Sequence, residues 1–268
     1  MSTPSSTLIL NIGGFNIQIN FNKTELGFAY KKLKEDILNC YQGFITDKTK
    51  LVNYTIKIIE KKLFEVLLKE KKRFINIYEK KGGKLIISFY QISLIQFQLI
   101  LRDIIGELLA QQGGFILHAS SIADRNKALI FTGKNSSGKS TMIKLLHPQY
   151  KALADDTVII RKQANQYFFY QTPFIEKEDW IEKASGKYLL KKVFFLRKAK
   201  FFKLEKIVDK DYILNRLLKQ FWTIDQYGKK QLHYLTQFVA KFNNFYFFYF
   251  NKDKEKLIKL LSSEEKNL

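Results

Sequence analysis

The sequence predicts an α/β (α+β) protein in two parts: a small α+β module over residues 1–90, then a larger domain over residues 91–268 that holds a phosphate-binding loop. Three observations carry that expectation. The first ninety residues alternate apolar and polar side chains in short runs broken by glycine pairs, the period-two pattern of half-buried strands. Near residue 91 the pattern changes to one long, mostly apolar helix that stops at Gly113-Gly114. Beyond it an apolar strand, Ala128-Leu-Ile-Phe-Thr132, runs straight into Gly-x-x-x-x-Gly-Lys-Ser and a helical segment.

In order along the chain, Leu8–Ile12, Gly13-Gly14 and Phe15–Phe21 read as a β-hairpin. Phe15, Ile17, Ile19 and Phe21 form its apolar face, and the glycine pair forms its turn. A mixed, helical stretch follows to about residue 40, then a strand over Asn53–Glu60. A second hairpin is expected from Arg73–Glu79 and Leu85–Tyr90 around Lys81-Gly-Gly-Lys84. The long helix is expected over Gln91–Gln112. Phe115–Ala123 reads as one strand with His118 in its middle, and Thr141–Leu146 as the helix after the loop. Asp156–Arg161 and Tyr167–Tyr170 suggest a hairpin turning at Gln163–Asn165, followed by a strand at Lys191–Arg197. Two amphipathic helices come next. One shows Ile213, Leu214, Leu217, Leu218 and Phe221 on a face; the other shows Leu232, Leu235, Phe238, Val239 and Phe242. A short strand at Phe245–Phe250 and a helix at Lys254–Leu261 close the pattern.

Composition excludes several classes. Hydrophobic residues make up 46% of the 268, enough for a proper core, and three prolines argue against long disordered tracts. The single cysteine, Cys40, permits no intramolecular disulfide and fits a reducing, cytoplasmic compartment. The N-terminal Met1–Thr7 has no basic and apolar segments of a secretory signal. The most apolar stretch, Ile92–Leu109, is interrupted by Gln96, Gln98, Arg102, Asp103 and Glu107, a buried helix rather than a membrane span. The formal net charge of +21 comes almost wholly from lysines spread along the chain, with only six arginines. Sequence-specific nucleic-acid readers cluster arginines instead, so no specific nucleic-acid partner is expected, although the charge helps attract anionic substrates such as nucleotides.

The loop Gly133-Lys134-Asn135-Ser136-Ser137-Gly138-Lys139-Ser140-Thr141 matches G-x-x-x-x-G-K-[ST]. Each position has a physical reason. Gly133 and Gly138 allow backbone angles and close approach that a Cβ would block. Consecutive N–H groups around Asn135 to Lys139 can cradle an anion, and the helix that begins there adds its positive end. Lys139 is a point charge for β- and γ-phosphates, and the Ser140 hydroxyl is a ligand for Mg²⁺. The expected cofactors are therefore ATP or GTP, with Mg²⁺.

Phosphoryl transfer to a hydroxyl also needs a metal-binding carboxylate and a base. Asp155 and Asp156, in Leu153-Ala-Asp-Asp-Thr-Val158, are the strong candidates near the loop. Adjacent residues of an extended segment point opposite ways, so one can face the metal and the other the acceptor hydroxyl. His118 is open between a hydrogen-bonded core histidine and a partner that orients a catalytic aspartate.

These segments, from Ile116-Leu-His-Ala-Ser-Ser-Ile-Ala123 through the loop to Leu153-Ala-Asp-Asp-Thr-Val158 and Thr172-Pro-Phe174, resemble the C-terminal catalytic domain of HPr kinase/phosphorylase. They also resemble the wider group of HPr-kinase-like proteins, which includes serine kinases of peptide-modification clusters. The resemblance covers about residues 113–175 and continues more loosely to the C-terminus. It implies a P-loop kinase fold related to phosphoenolpyruvate carboxykinase. It also implies that His118 orients the catalytic aspartate, that Asp155 accepts the serine proton, and that Asp156 helps Ser140 hold the metal. One departure matters: the family's glycine-containing signature downstream of the aspartates is missing, and the only glycines there are Gly186 and Gly228. That argues against phosphorolysis and against HPr as the substrate.

The leading expectation is an ATP-dependent kinase acting on a hydroxyl, most plausibly serine of a protein or a modified-peptide precursor, with a small-molecule acceptor as a variant. The alternative is a nucleotide-binding regulatory or transport ATPase; no LSGGQ-like segment of an ABC-type ATPase is present. The N-terminal module and the C-terminal helices are equally suited to an acceptor site or a homo-oligomer interface.

Overall fold

The computed structural model describes residues 7–21, 28–47, 51–58, 78–82, 85–88 and 92–263. The sequence expectations for residues 1–6, 59–60, 73–77, 83–84 and 89–91 lie outside the described residues. The chain forms two compact units, Met1–Leu108 and Leu109–Leu268.

In the first unit, β1 (Thr7–Ile12) and β2 (Phe15–Phe21) pair antiparallel with Ile12 opposite Phe15. Gly13 and Gly14 sit at φ 60° and 77°, the left-handed pair that a two-residue hairpin with matching twist needs. Phe15, Ile17, Ile19 and Phe21 are all buried, as the alternation requires. After α1 (Phe28–Cys40), β3 (Tyr54–Ile58) lies parallel to β2. β4 (Tyr78–Lys81) and β5 (Leu85–Ser88) form the second hairpin, giving the sheet order β1-β2-β3-β5-β4. α2 (Leu94–Gln112) packs Phe97 on Tyr41 and brings Asp103 and Glu107 to Lys80. Those contacts hold most of α2 to the first unit, so the division between units falls within this helix.

The second unit is a ten-stranded mixed sheet. Its strands are β6 (Gly114–His118), β7 (Ser120–Asp124), β8 (Lys127–Thr132), β9 (Lys151–Ala154), β10 (Thr157–Gln163), β11 (Gln166–Gln171), β12 (Lys187–Lys198), β13 (Lys203–Lys206), β14 (Phe221–Trp222) and β15 (Phe245–Phe250). The long β12 organises it. β8 runs parallel along one side, while the other side pairs first with antiparallel β11 and then with parallel β15. The helices are α3 (Lys139–Leu146), α4 (Lys210–Leu218), α5 (Asp225–Lys241) and α6 (Lys254–Ser263).

Both faces of this sheet are covered. Ile130, Val193, Phe195 and Phe245 pack with Ile213 and Leu217 of α4 and Leu235 and Phe238 of α5. Phe131, Phe194, Leu196 and Phe248 pack on the other face with Met142 and Ile143 of α3 and Leu257 and Leu261 of α6. Successive residues of β12 thus serve opposite cores, which is why the strand reads as one apolar run. Each such side chain contributes about 1.5–3 kcal/mol by burial. For α3 the result is positional: its apolar face is pinned to the sheet, which fixes the turn from β8.

Two expectations are corrected. Phe115–Ala123 is not one strand, because the chain changes partners at Ala119: β6 lies between β10 and β14, and β7 between β8 and β9. Phe221 does not extend the apolar face of α4, since that helix ends at Leu218 and Phe221 pairs with Leu117 in β14. Among the described residues, no helix is long and apolar enough to cross a membrane.

Candidate functional site

Residues 133–138 connect β8 to α3. Gly133 has φ 153° and lies so close to Ser137 that a Cβ there would come within 2.8 Å of its Oγ. Ser136 sits at φ 62° and Gly138 at φ 102°, on either side of Ser137, whose φ is not positive. Alternation of that kind turns backbone N–H groups toward one concave side. A Cβ on Gly138 would also meet the Phe250 ring at 2.8 Å. The Ser137 amide donates to Lys134 O at 3.1 Å, so it closes the loop and is not one of the expected anion donors. The first intrahelical bond of α3 is Met142 N–H to Gly138 O at 2.8 Å, so the amides of Lys139, Ser140 and Thr141 have no intrahelical acceptor and are open to an anion. Lys134, Asn135 and Ser136 are exposed, Ser140 and Thr141 half-buried, and Ser137 and Lys139 buried.

Lys139 folds back over the loop and donates from Nζ to Gly133 O at 3.0 Å and, more weakly, to Lys134 O at 3.5 Å. Burial holds its ammonium below the usual lysine pKa, while Asp156 and Asp155 act in the opposite direction. The ammonium therefore feels both aspartates, which brings Lys139, Asp155 and Asp156 into one electrostatic site.

The aspartates part company, as expected of neighbours in an extended segment, but each takes the partner expected of the other. Asp156 Oδ1 lies 2.8 Å from His118 Nδ1, and this hydrogen bond holds the Asp156 carboxyl below the usual carboxylate range. Asp155 is buried, and desolvation raises its pKa, with the neighbouring Ser140 hydroxyl pulling the other way. The expected pairings, His118 with Asp155 and Ser140 with Asp156, are thus exchanged. The reason is register. Thr157 pairs with His118 across β10 and β6, and the Ala119 amide donates to Asp156 O, so Asp156 falls beside the histidine. Asp155 follows β9, whose partner β7 borders the strand that feeds the loop, so it falls on the Ser140 side.

Two buried carboxylates that the sequence reading did not single out lie near this pair, and one of them, Glu176, holds its backbone. The Glu176 side chain is 1% exposed. Its Oε2 accepts the Asp155 amide at 2.9 Å and its Oε1 the Thr157 amide at 3.2 Å. Lys183 neutralises it at 3.3 Å. Glu178 bridges to Lys144 of α3 at 2.7 Å and also accepts from the Trp180 indole. Both glutamates sit in irregular chain between β11 and β12, where no periodicity reports burial; the only sequence cue was their closeness to Thr172-Pro173-Phe174.

The residues present fit a magnesium ion held together with a nucleotide. No cage of three or more His, Cys, Asp or Glu side chains occurs among the described residues. An ion of this kind needs only one or two carboxylates, with phosphate oxygens and water completing its octahedron. Asp155 Oδ1 is buried without a hydrogen-bond partner, beside the Ser140 hydroxyl.

Residues 89–210, which include the loop, His118 and both aspartates, match the family model for the SynChlorMet cassette protein ScmC. No curated protein matches the chain. Among solved structures, the Hpr(Ser) kinase/phosphatase from Coxiella burnetii aligns at 16% identity over 35% of this chain and 72% of that one, with a TM-score of 0.26. A likeness that slight carries no weight for the fold or the chemistry of this chain.

Proposed function

We propose that the chain is a Mg²⁺-dependent phosphotransferase that moves the γ-phosphate of ATP or GTP to a hydroxyl, as a serine kinase of a protein or peptide. One observation supports this reading above the rest. A glycine-bounded anion loop, a buried lysine and two aspartates with separate partners converge on one site. A phosphate cradle alone would serve any nucleotide-binding protein. A second aspartate, turned away from Ser140 and tied to a histidine, has no use in nucleotide binding but suits a base.

In this reading the loop amides and Lys139 bind the terminal phosphates, and Ser140 and Asp155 would hold a Mg²⁺ ion, which would supply charge neutralisation to the transferring group. Asp156 takes the proton of the acceptor hydroxyl as that oxygen bonds to phosphorus, the bridging bond breaks, and the nucleoside diphosphate leaves. His118 orients the Asp156 carboxylate and keeps it ionised and ready to accept. The roles are therefore Asp156 as base and Asp155 as metal ligand.

The test is incubation with Mg²⁺ and ATP labelled in its γ-phosphate, together with serine-containing peptides. Label in the peptide supports the kinase. Label released only as inorganic phosphate, at a rate no peptide alters, favours the ATPase alternative.

A further inference from the structure

Beside the loop lies a cleft of about 970 Å³, floored by Gly133–Ser137 and walled by the end of β12, by α4 and by the turn that follows it. Five cations line it: Lys134, Arg197, Lys198, Arg216 and Lys219. Among the described residues, no carboxylate forms an ion pair with Lys134, Lys198, Arg216 or Lys219. Gln220 lines it, and the Gln220 carbonyl accepts the His118 amide at 2.7 Å, which sets the cleft beside the strand that carries His118.

We propose that this cleft is the acceptor site and that it takes a peptide segment carrying carboxylates around its hydroxyl. The inference rests on the kinase reading and adds the class of acceptor. Three features favour an acidic peptide. The cations come from the loop, from β12 and from α4 with the turn after it, which suits several charges on an extended chain better than one phosphate group. Guanidinium forks match carboxylates in a bidentate manner. The aromatic side chains are already engaged: Arg197 lies 3.6 Å from the Phe247 ring centroid, Arg216 lies 5.1 Å from that of Tyr212, and the two rings meet edge to face. A single-stranded nucleic acid stacks its bases on open aromatic faces, whereas a guanidinium already lies over each of these two rings. The Tyr212 hydroxyl accepts from both Arg197 and Arg216, which holds the guanidiniums in place.

The experiment measures fluorescence anisotropy at physiological salt with three labelled probes: a ten-residue Asp/Glu-rich peptide with one serine, its Gln/Asn counterpart, and a ten-nucleotide oligouridine. Mg·ATP affinity is read separately with a fluorescent ATP analogue. The acidic peptide is expected to bind at least about tenfold more tightly than the neutral one. Arg216→Ala with Lys219→Ala should remove about tenfold of that affinity and leave nucleotide affinity within about twofold. Lys229→Ala with Lys230→Ala, which removes the same charge from an exposed part of α5, should change neither. Equal binding of both peptides, tighter binding of oligouridine, equal losses in the two double variants, or a loss of nucleotide rather than peptide affinity would each overturn the assignment. Failure of the intact chain to bind Mg·ATP, with acidic-peptide binding preserved, would instead sink the kinase reading.

Discussion

His118 Nδ1 and Asp156 Oδ1 lie 2.8 Å apart, while Asp155, one residue earlier, turns to the side of Ser140. That division separates two tasks that adjacent carboxylates can share only if the backbone between them is held firmly. It leads directly to a pair of contrasting substitutions.

Asp156→Asn should lower kcat for transfer by about 10²–10⁴, the usual worth of a positioned base, with Mg·ATP affinity little changed. Asp155→Asn should instead raise the Mg²⁺ concentration needed for half-maximal rate. His118→Ala should follow Asp156→Asn in kcat but more mildly. Steady-state kinetics across a magnesium series distinguish these outcomes, and full activity in Asp156→Asn would contradict the assignment.

Glu176→Gln should destabilise the second unit although Glu176 touches no proposed substrate. It weakens the acceptor for the Asp155 and Thr157 amides and leaves Lys183 buried without its carboxylate. Breaking a buried pair on one side costs about 3–5 kcal/mol, which lowers Tm by about 10 °C in a unit of this size. Adding Lys183→Met should restore part of the loss by removing the unpaired cation. Thermal unfolding followed by circular dichroism checks both.

Gly138→Ala should impair nucleotide binding and stability together. The new methyl would sit at φ 102° and 2.8 Å from the Phe250 ring, so both loop conformation and packing against β15 must yield. A backbone strain of this kind costs about 1–3 kcal/mol. Calorimetric titration and a thermal melt of the same variant report the two effects.

The first unit should lose stability at alkaline pH. The Tyr54 hydroxyl is pushed up to about 12 from 10.0, first by burial and then by the nearby Glu107 carboxylate. The fold therefore favours the neutral phenol. Its contribution is fully present below pH 10, where the unfolded side chain is also protonated, and fades as pH rises from about 10 to about 12. The worth is about 2–3 kcal/mol. Thermal melts between pH 8 and pH 12 should show this loss, and Tyr54→Phe should reduce it.

Much of the fold was legible because its signals are local. The Gly13-Gly14 hairpin, the alternation of Phe15 to Phe21, and the apolar run of Val193 to Leu196 each follow from period and turn chemistry. The loop position was legible for the same reason, since Gly133 and Gly138 occupy backbone angles and close contacts that glycine tolerates. The partner change at Ala119 was not, because strand pairing is non-local and Phe115–Ala123 reads as one extended run whichever partners its two halves take. The partners of Asp155 and Asp156 were illegible for a related reason. Alternation requires that the two diverge, but only the register of β10 against β6 decides which meets His118. Glu176 lies in irregular chain, where a buried carboxylate looks the same in sequence as a solvated one.

The most direct test of the whole account is calorimetric titration of Mg·ATP into the intact chain and into Lys139→Ala. The intact chain should bind with one site, and the variant should bind at least about tenfold more weakly, since it loses the ammonium that the proposed function sets against the terminal phosphates. An affinity that Lys139→Ala leaves unchanged would contradict it.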